Sequence, residues 1–178
     1  MKRTLVITAF FIVFIIIYIL QTNFFSWYNI AGIKPNLFII FTLFIGLFLG
    51  RTIGFSLGAI FGFLLDLFIS KRIGINATML AIAGLMGGIL DKSFSKESRI
   101  TFMGMTFSVT ILCEIINYAI QTIMLGAEST FTVFMQIVII EAIYNSILVI
   151  ILYPLIKKAG NKTEEVFNER KRILMRYY

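Results

Sequence analysis

Four residues of this chain stand out as chemically capable, because each lies inside a long apolar run: Glu114, Asn117, Glu141 and Asn145. Glu114 and Asn117 are three positions apart and Glu141 and Asn145 four, so on helices each pair shares one face. Tyr118 and Tyr144 stand beside them. If the two faces meet, a protonated carboxyl can donate to an asparagine oxygen across the interface, which is a structural use. The functional use is a proton-linked or solute site, the kind that intramembrane acids mark in transporters. Even insertion scales charge about 2.5–3.5 kcal/mol for an aspartate at the centre of a spanning helix. These four residues and Gln136 are therefore expected to face other helices or a wet cavity.

Other chemistries are excluded by composition. The 178 residues include no histidine and a single cysteine, Cys113, which itself lies in an apolar run. A histidine base, an intrachain disulfide and a cysteine/histidine metal site are all ruled out. No phosphate-cradling glycine loop, nucleophile with its base, or cofactor motif appears, so no catalytic, metal or cofactor-binding residue is assigned and no cofactor is expected. An enzyme acting on a lipid-linked substrate would need acids grouped at one membrane face, whereas Asp66, Glu114 and Glu141 are expected at different depths.

A second group combines close packing with a charge. In GFSLGAIFGFLLD, Gly54, Gly58, Gly62 and Asp66 follow at steps of four, a ridge that drifts about 40° per step around a helix. Small residues at this spacing let helix backbones approach, within the chain or against a partner. Gly46 and Gly50 carry the spacing back into the preceding run. Asp66 is expected near the outer end of its helix, where Lys71, Arg72 or Asn76 could satisfy it and fix the following turn.

The elements that position these residues are membrane spans. Apolar residues make up 59% of the chain and charged residues 14%, and the apolar ones come in uninterrupted runs, so the fold class is an all-α integral membrane protein. Helices are expected at 4–23, 35–50, 52–69, 74–91, 100–125 and 131–156, a six-helix transmembrane domain over 1–156. A single helix from Asn36 to Ser70 would be about 50 Å long, too long for a hydrocarbon core of about 30 Å, so a tight hairpin at Gly50-Arg51 is expected instead. The first run follows Lys2 and Arg3 and has no small-residue cleavage site after it, so it reads as an uncleaved span.

The net charge of +7 reads as a topology signal rather than a nucleic-acid footprint. With the amino terminus inside, Lys2, Arg3, Arg51, Lys92, Lys96, Arg99 and every basic residue from Lys157 onward are cytoplasmic. Only Lys34, Lys71 and Arg72 fall outside, which favours both termini in the cytoplasm. The outer segment FFSWYNIAGIKP suits the headgroup region, anchored by Trp27 and Tyr28. The tail, 157–178, suits a basic amphipathic helix with Thr163 as N-cap and Arg170, Lys171, Arg172 and Arg176 near its end, set either on anionic lipid or against a cytoplasmic protein.

The glycine-stepped helix ending in aspartate, GFSLGAIFGFLLDLF, then a short connection and GINATMLAIAGLMGG, resembles the rod shape-determining protein MreD family. The basic start before the first span, the pair Pro35-Asn36 opening the second, the six spans and the basic carboxy terminus extend the resemblance over nearly the whole chain. Members often carry aspartate where this chain has Asn36. The resemblance implies a non-enzymatic membrane subunit of the bacterial wall-elongation machinery, working with the bitopic MreC and, through it or directly, with MreB, RodA and its transpeptidase partner. The family is also similar in architecture to the S-components of energy-coupling-factor transporters. That likeness supplies the alternative, a substrate-binding subunit of a vitamin-type carrier with a cavity lined by Glu114, Asn117, Glu141 and Asn145. No ligand residues are carried over from either family.

Overall fold

The computed structural model describes residues 2–69, 73–91, 98–125 and 131–174, and these are helical apart from short connections. The helices are α1 (Lys2–Ile19), α2 (Leu37–Leu49), α3 (Arg51–Phe68), α4 (Ile75–Leu90), α5 (Arg99–Leu125) and α6 (Phe131–Leu174). A π-helical turn at Leu20–Phe24 and a last helical turn at Phe25–Trp27 prolong α1. In that stretch the side chains of Thr22, Asn23 and Ser26 donate to backbone carbonyls of the preceding turn, a competition that loosens the regular ladder. Gly50, at φ +88°, is the whole connection between α2 and α3, the hairpin expected there.

Among the described residues, four helices are long and apolar enough to cross a membrane: Thr4–Trp27, Arg51–Phe68, Arg99–Ile123 and Thr132–Phe167. The other two, α2 and α4, have 13 and 16 residues, about 20 and 24 Å of helix against a hydrocarbon core of about 30 Å. Apolar residues surround α2 on every side, LFIIFTLFIGLFL, and such a helix is buried all round. It is the centre of the bundle. On one side Phe38, Ile39, Leu43 and Ile45 pack with Phe14, Phe61, Leu80 and Val109. On the other, Ile40, Phe44, Leu47 and Phe48 pack with Phe102, Val149 and Tyr153.

The glycine ridge explains how α2, α3 and α4 nest. A methyl group at Gly58 would overlap the Leu80 carbonyl, and one at Gly62 would overlap the carbonyl of Asn76. Gly54 is held between Gly46 of α2 and Gly84 of α4, and Gly88 faces the backbone of Gly50 and Arg51. So α3 runs antiparallel to α4, while α2 and α4 run parallel with their carboxy-terminal ends level. The neighbour that the ridge admits is the chain's own fourth helix.

Two expectations are corrected. Thr163 is not an N-cap, because α6 runs unbroken through it and its hydroxyl donates to the carbonyl of Ala159 one turn back. Pro154 lies inside the same helix and does not end it. Gln136 is exposed rather than interior, since the inward face of α6 is set by Val138, Glu141, Ala142 and Asn145.

Candidate functional site

The short helices α2 and α4 each start against other elements of the bundle. The first N–H groups of a helix have no partner within it, and hydrocarbon supplies none. Each start is therefore a place where other elements must bring acceptors. The residues singled out in the sequence gather at these two places.

At the start of α4 the acceptor is Asp66, at the end of α3 and only 1% exposed. One carboxylate oxygen accepts from the backbone N–H groups of Gly74 at 2.8 Å and Ala77 at 3.1 Å. The other accepts from the Asn76 backbone at 3.1 Å and its side-chain amide at 3.0 Å. Gly74, at φ +109°, turns the chain so that these groups converge. A buried negative group facing a helix amino terminus is also favoured by the helix dipole. Of the three partners expected for Asp66, Asn76 is the one found, and Lys71 and Arg72 lie outside the described residues.

At the start of α2 the acceptors are neutral and come from three elements. The side chain of Asn36 caps its own helix by accepting from the N–H of Ile39 at 3.3 Å. Its backbone N–H donates to Asn145 Oδ1 on α6 at 2.7 Å, and the N–H of Leu37 donates to Gln21 Oε1 at 3.2 Å. Gln21, in the π-helical turn, donates in return to the Pro35 carbonyl. Asn145 Nδ2 completes the junction by donating to the Thr110 hydroxyl on α5 at 3.1 Å. Asn145 is fully buried and holds α2, α5 and α6 together.

The polar faces of α5 and α6 do meet, as Asn145 and Thr110 show, but not by the carboxyl-to-asparagine exchange expected from the sequence. Asn145 is occupied by α2 and Thr110. Asn117 turns back along its own helix, donating to Glu114 Oε2 at 3.4 Å and accepting from Gln121 at 2.8 Å. Glu141 lies beside the Asn36 side chain and Glu114, and its Oε1 has no partner among the described residues. Neither does the hydroxyl of Thr106, one turn before Thr110. Tyr118 stacks on Phe134 with ring centres 4.1 Å apart, and the Tyr144 hydroxyl donates to the carbonyl of Tyr28 at 2.8 Å, tying α6 to the outer segment. Trp27 in that segment is 88% exposed.

Gln21 and Thr110 were not singled out in the sequence. The signals that could have found them are a glutamine ending an apolar run and a threonine one turn before the Glu114 face. No group of three metal-ligating side chains occurs among the described residues. An apolar cavity of about 470 Å³ lies between α1, α2 and α6 and is lined by Phe10, Ile17, Phe44, Phe48, Leu152 and Ile156. None of Glu114, Asn117, Glu141 or Asn145 lines it. Arg170, Lys171 and Arg172 lie on the last turns of α6, where side chains are outside the described residues, and Arg176 is outside them altogether.

A family model described as rod shape-determining protein MreD matches residues 1–162 of the chain. No curated protein and no solved structure matches it.

Proposed function

Because this chain belongs to the rod shape-determining protein MreD family, we propose that it is a non-enzymatic scaffold subunit of the bacterial wall-elongation complex, acting in cell shape and peptidoglycan synthesis. It is a multi-pass protein of the cytoplasmic membrane with both termini inside, and all six helices cross. The transmembrane domain extends over 1–156, and 157–178 forms a basic cytoplasmic extension that meets lipid or a protein partner. Its partners are an MreC-like bitopic protein and, through it or directly, MreB, RodA and its transpeptidase. The likeness to S-components of energy-coupling-factor transporters is part of this proposal and rests on sequence.

The observation that carries this reading is the lateral surface of α1. Leu5, Ile12, Ile15, Ile16 and Ile19 are all exposed, and the apolar cavity opens beside them. Within a bilayer, apolar surface alone drives little association, so helices join where their shapes fit. A ridged helix beside a groove offers such a fit to a neighbouring span. The glycine ridge and Asp66, by contrast, serve the chain's own hairpin.

The test is affinity purification of the full-length protein in mild detergent. Co-purification of MreC-like and polymerase-like proteins is the expected result, and depletion in the native rod-shaped cell is expected to round it. Recovery of ATPase subunits instead, with normal shape and loss of one nutrient's uptake, would establish the carrier reading. The free Oε1 of Glu141 favours that second reading, and a rise in melting temperature with one vitamin-like solute would support it.

A further inference from the structure

The polar start of α4 is used up by internal bonds, that of α2 belongs to the site already described, and the apolar groove belongs to the lateral surface already described. A different feature lies at the end of the bundle where α5 begins. Tyr153 on α6 is 6% exposed, with its ring set edge-on against Phe102 at 5.3 Å, and Phe102 stacks on Phe44 at 5.1 Å. Two cations converge on that ring. The guanidinium carbon of Arg99, from the first turn of α5, is 5.5 Å from the ring centre, and the ammonium of Lys157, one turn beyond Tyr153 on α6, is 5.7 Å from it.

Both distances are within the range of cation–π attraction. Two like charges from different helices thus lie within about 6 Å of the centre of one ring. Neither has a carboxylate partner among the described residues. Two cations held near one ring invite an anion that answers both. A guanidinium supplies a planar fork of donors and an ammonium a point charge, and phosphate oxygens accept from both.

The neighbourhood tells which phosphate. Ile100, next to Arg99, is 81% exposed, and Met103, one turn further along α5, is exposed as well. On α6, Ile150 is exposed and lies two turns from Lys157 on the same face. The cations therefore sit above an apolar wall at the end of two spanning helices, the arrangement that a lipid presents in reverse, with its phosphate above its acyl chains. We propose that Arg99 and Lys157, set by the ring of Tyr153, bind the headgroup phosphate of an anionic phospholipid. On the topology given above this lipid is in the cytoplasmic leaflet, where anionic headgroups attract basic residues.

The test is native mass spectrometry of the full-length protein in detergent with phosphatidylglycerol or phosphatidylcholine added. In detergent the result does not depend on which face is cytoplasmic, so this site and the proposed topology fail separately. The protein is expected to retain phosphatidylglycerol over phosphatidylcholine, and the double variant R99Q/K157Q to lose that preference by about tenfold, the scale of 1.4 kcal/mol. The charge-conserving variant R99K/K157R keeps two cations and is expected to keep most of the preference, which covers the case in which the neutral variant fails to fold. Equal retention by R99Q/K157Q would overturn the proposal. So would displacement of phosphatidylglycerol by millimolar inorganic phosphate.

Discussion

The starts of two short helices of this protein are packed against other elements, and they are built in opposite ways. The start of α4 receives one charged residue, Asp66, whose two oxygens take four N–H groups from a turn that follows it closely in sequence. The start of α2 receives neutral amides, Asn36, Gln21 and Asn145, drawn from the chain over more than a hundred positions. The first is local and complete. The second joins α1, α2, α5 and α6 and leaves Glu141 Oε1 and the Thr106 hydroxyl without a partner among the described residues. A helix start can thus be sealed by a charge from its own hairpin, or be made the junction of the bundle. Only the second kind leaves polar capacity to spare.

The largest effect should come from the hairpin. Gly58→Leu would drive a side chain into the Leu80 carbonyl and the Ala81 backbone, where neither helix can yield without parting from the other. Loss of the monodisperse peak in detergent, read by size-exclusion chromatography, is the expected outcome. Gly104→Ala is the control, because nothing lies within 4 Å of the added methyl and alanine favours a helix over glycine by about 1 kcal/mol. A folded Gly58→Leu variant would mean that the α3–α4 contact is looser than the overlap implies.

Next in size is the sealed start. Asp66→Ala strands four donors, each costing about 1–3 kcal/mol when buried without a partner, and should lower the melting temperature steeply. Asp66→Asn keeps one accepting oxygen and two of the four bonds, so its loss should be about half as large. Equal losses would show that the charge matters more than the bond count.

The junction should respond less. Asn145→Leu removes the acceptor of the Asn36 N–H and the donor to Thr110, two bonds whose loss is expected to cost about 2–5 kcal/mol. Its melting temperature should fall between those of Asp66→Asn and the parent, and a smaller loss than that would mean that Gln21 alone holds the start of α2. The smallest effect is expected at Glu141→Gln, within about 1 kcal/mol, because the carboxyl it replaces already has an unpartnered oxygen and the amide keeps an acceptor for Asn36. A loss as large as that of Asp66→Asn would erase the distinction between the two regions.

Much of this was legible without coordinates. The apolar runs placed each helix start within a residue or two, and Gly50-Arg51 forced a hairpin because a continuous helix would overrun the bilayer. The glycine ridge announced a close approach, and Asn76 was among the partners named for Asp66. The continuation of α6 past 156 was not legible, since Thr163 and the two glutamates after it form a passable helix start. A helix already running has no need of nucleation and carries on through them. The pairing of Asn145 with the Asn36 backbone was also hidden, since nothing in the spacing of α6 marks which helix end it will meet.

Composition and run length decide what must be buried and how far each helix can reach, because those depend on local chemistry and on 1.5 Å per residue. They made this chain a bundle of membrane helices and brought its glycines against backbone. Which polar group answers which orphaned N–H depends on helix offsets and rotations set by packing across the whole bundle. That is why Asp66 became a completed cap, Glu141 kept a free oxygen, and Arg99 and Lys157 came to share one ring only once the helices were placed together.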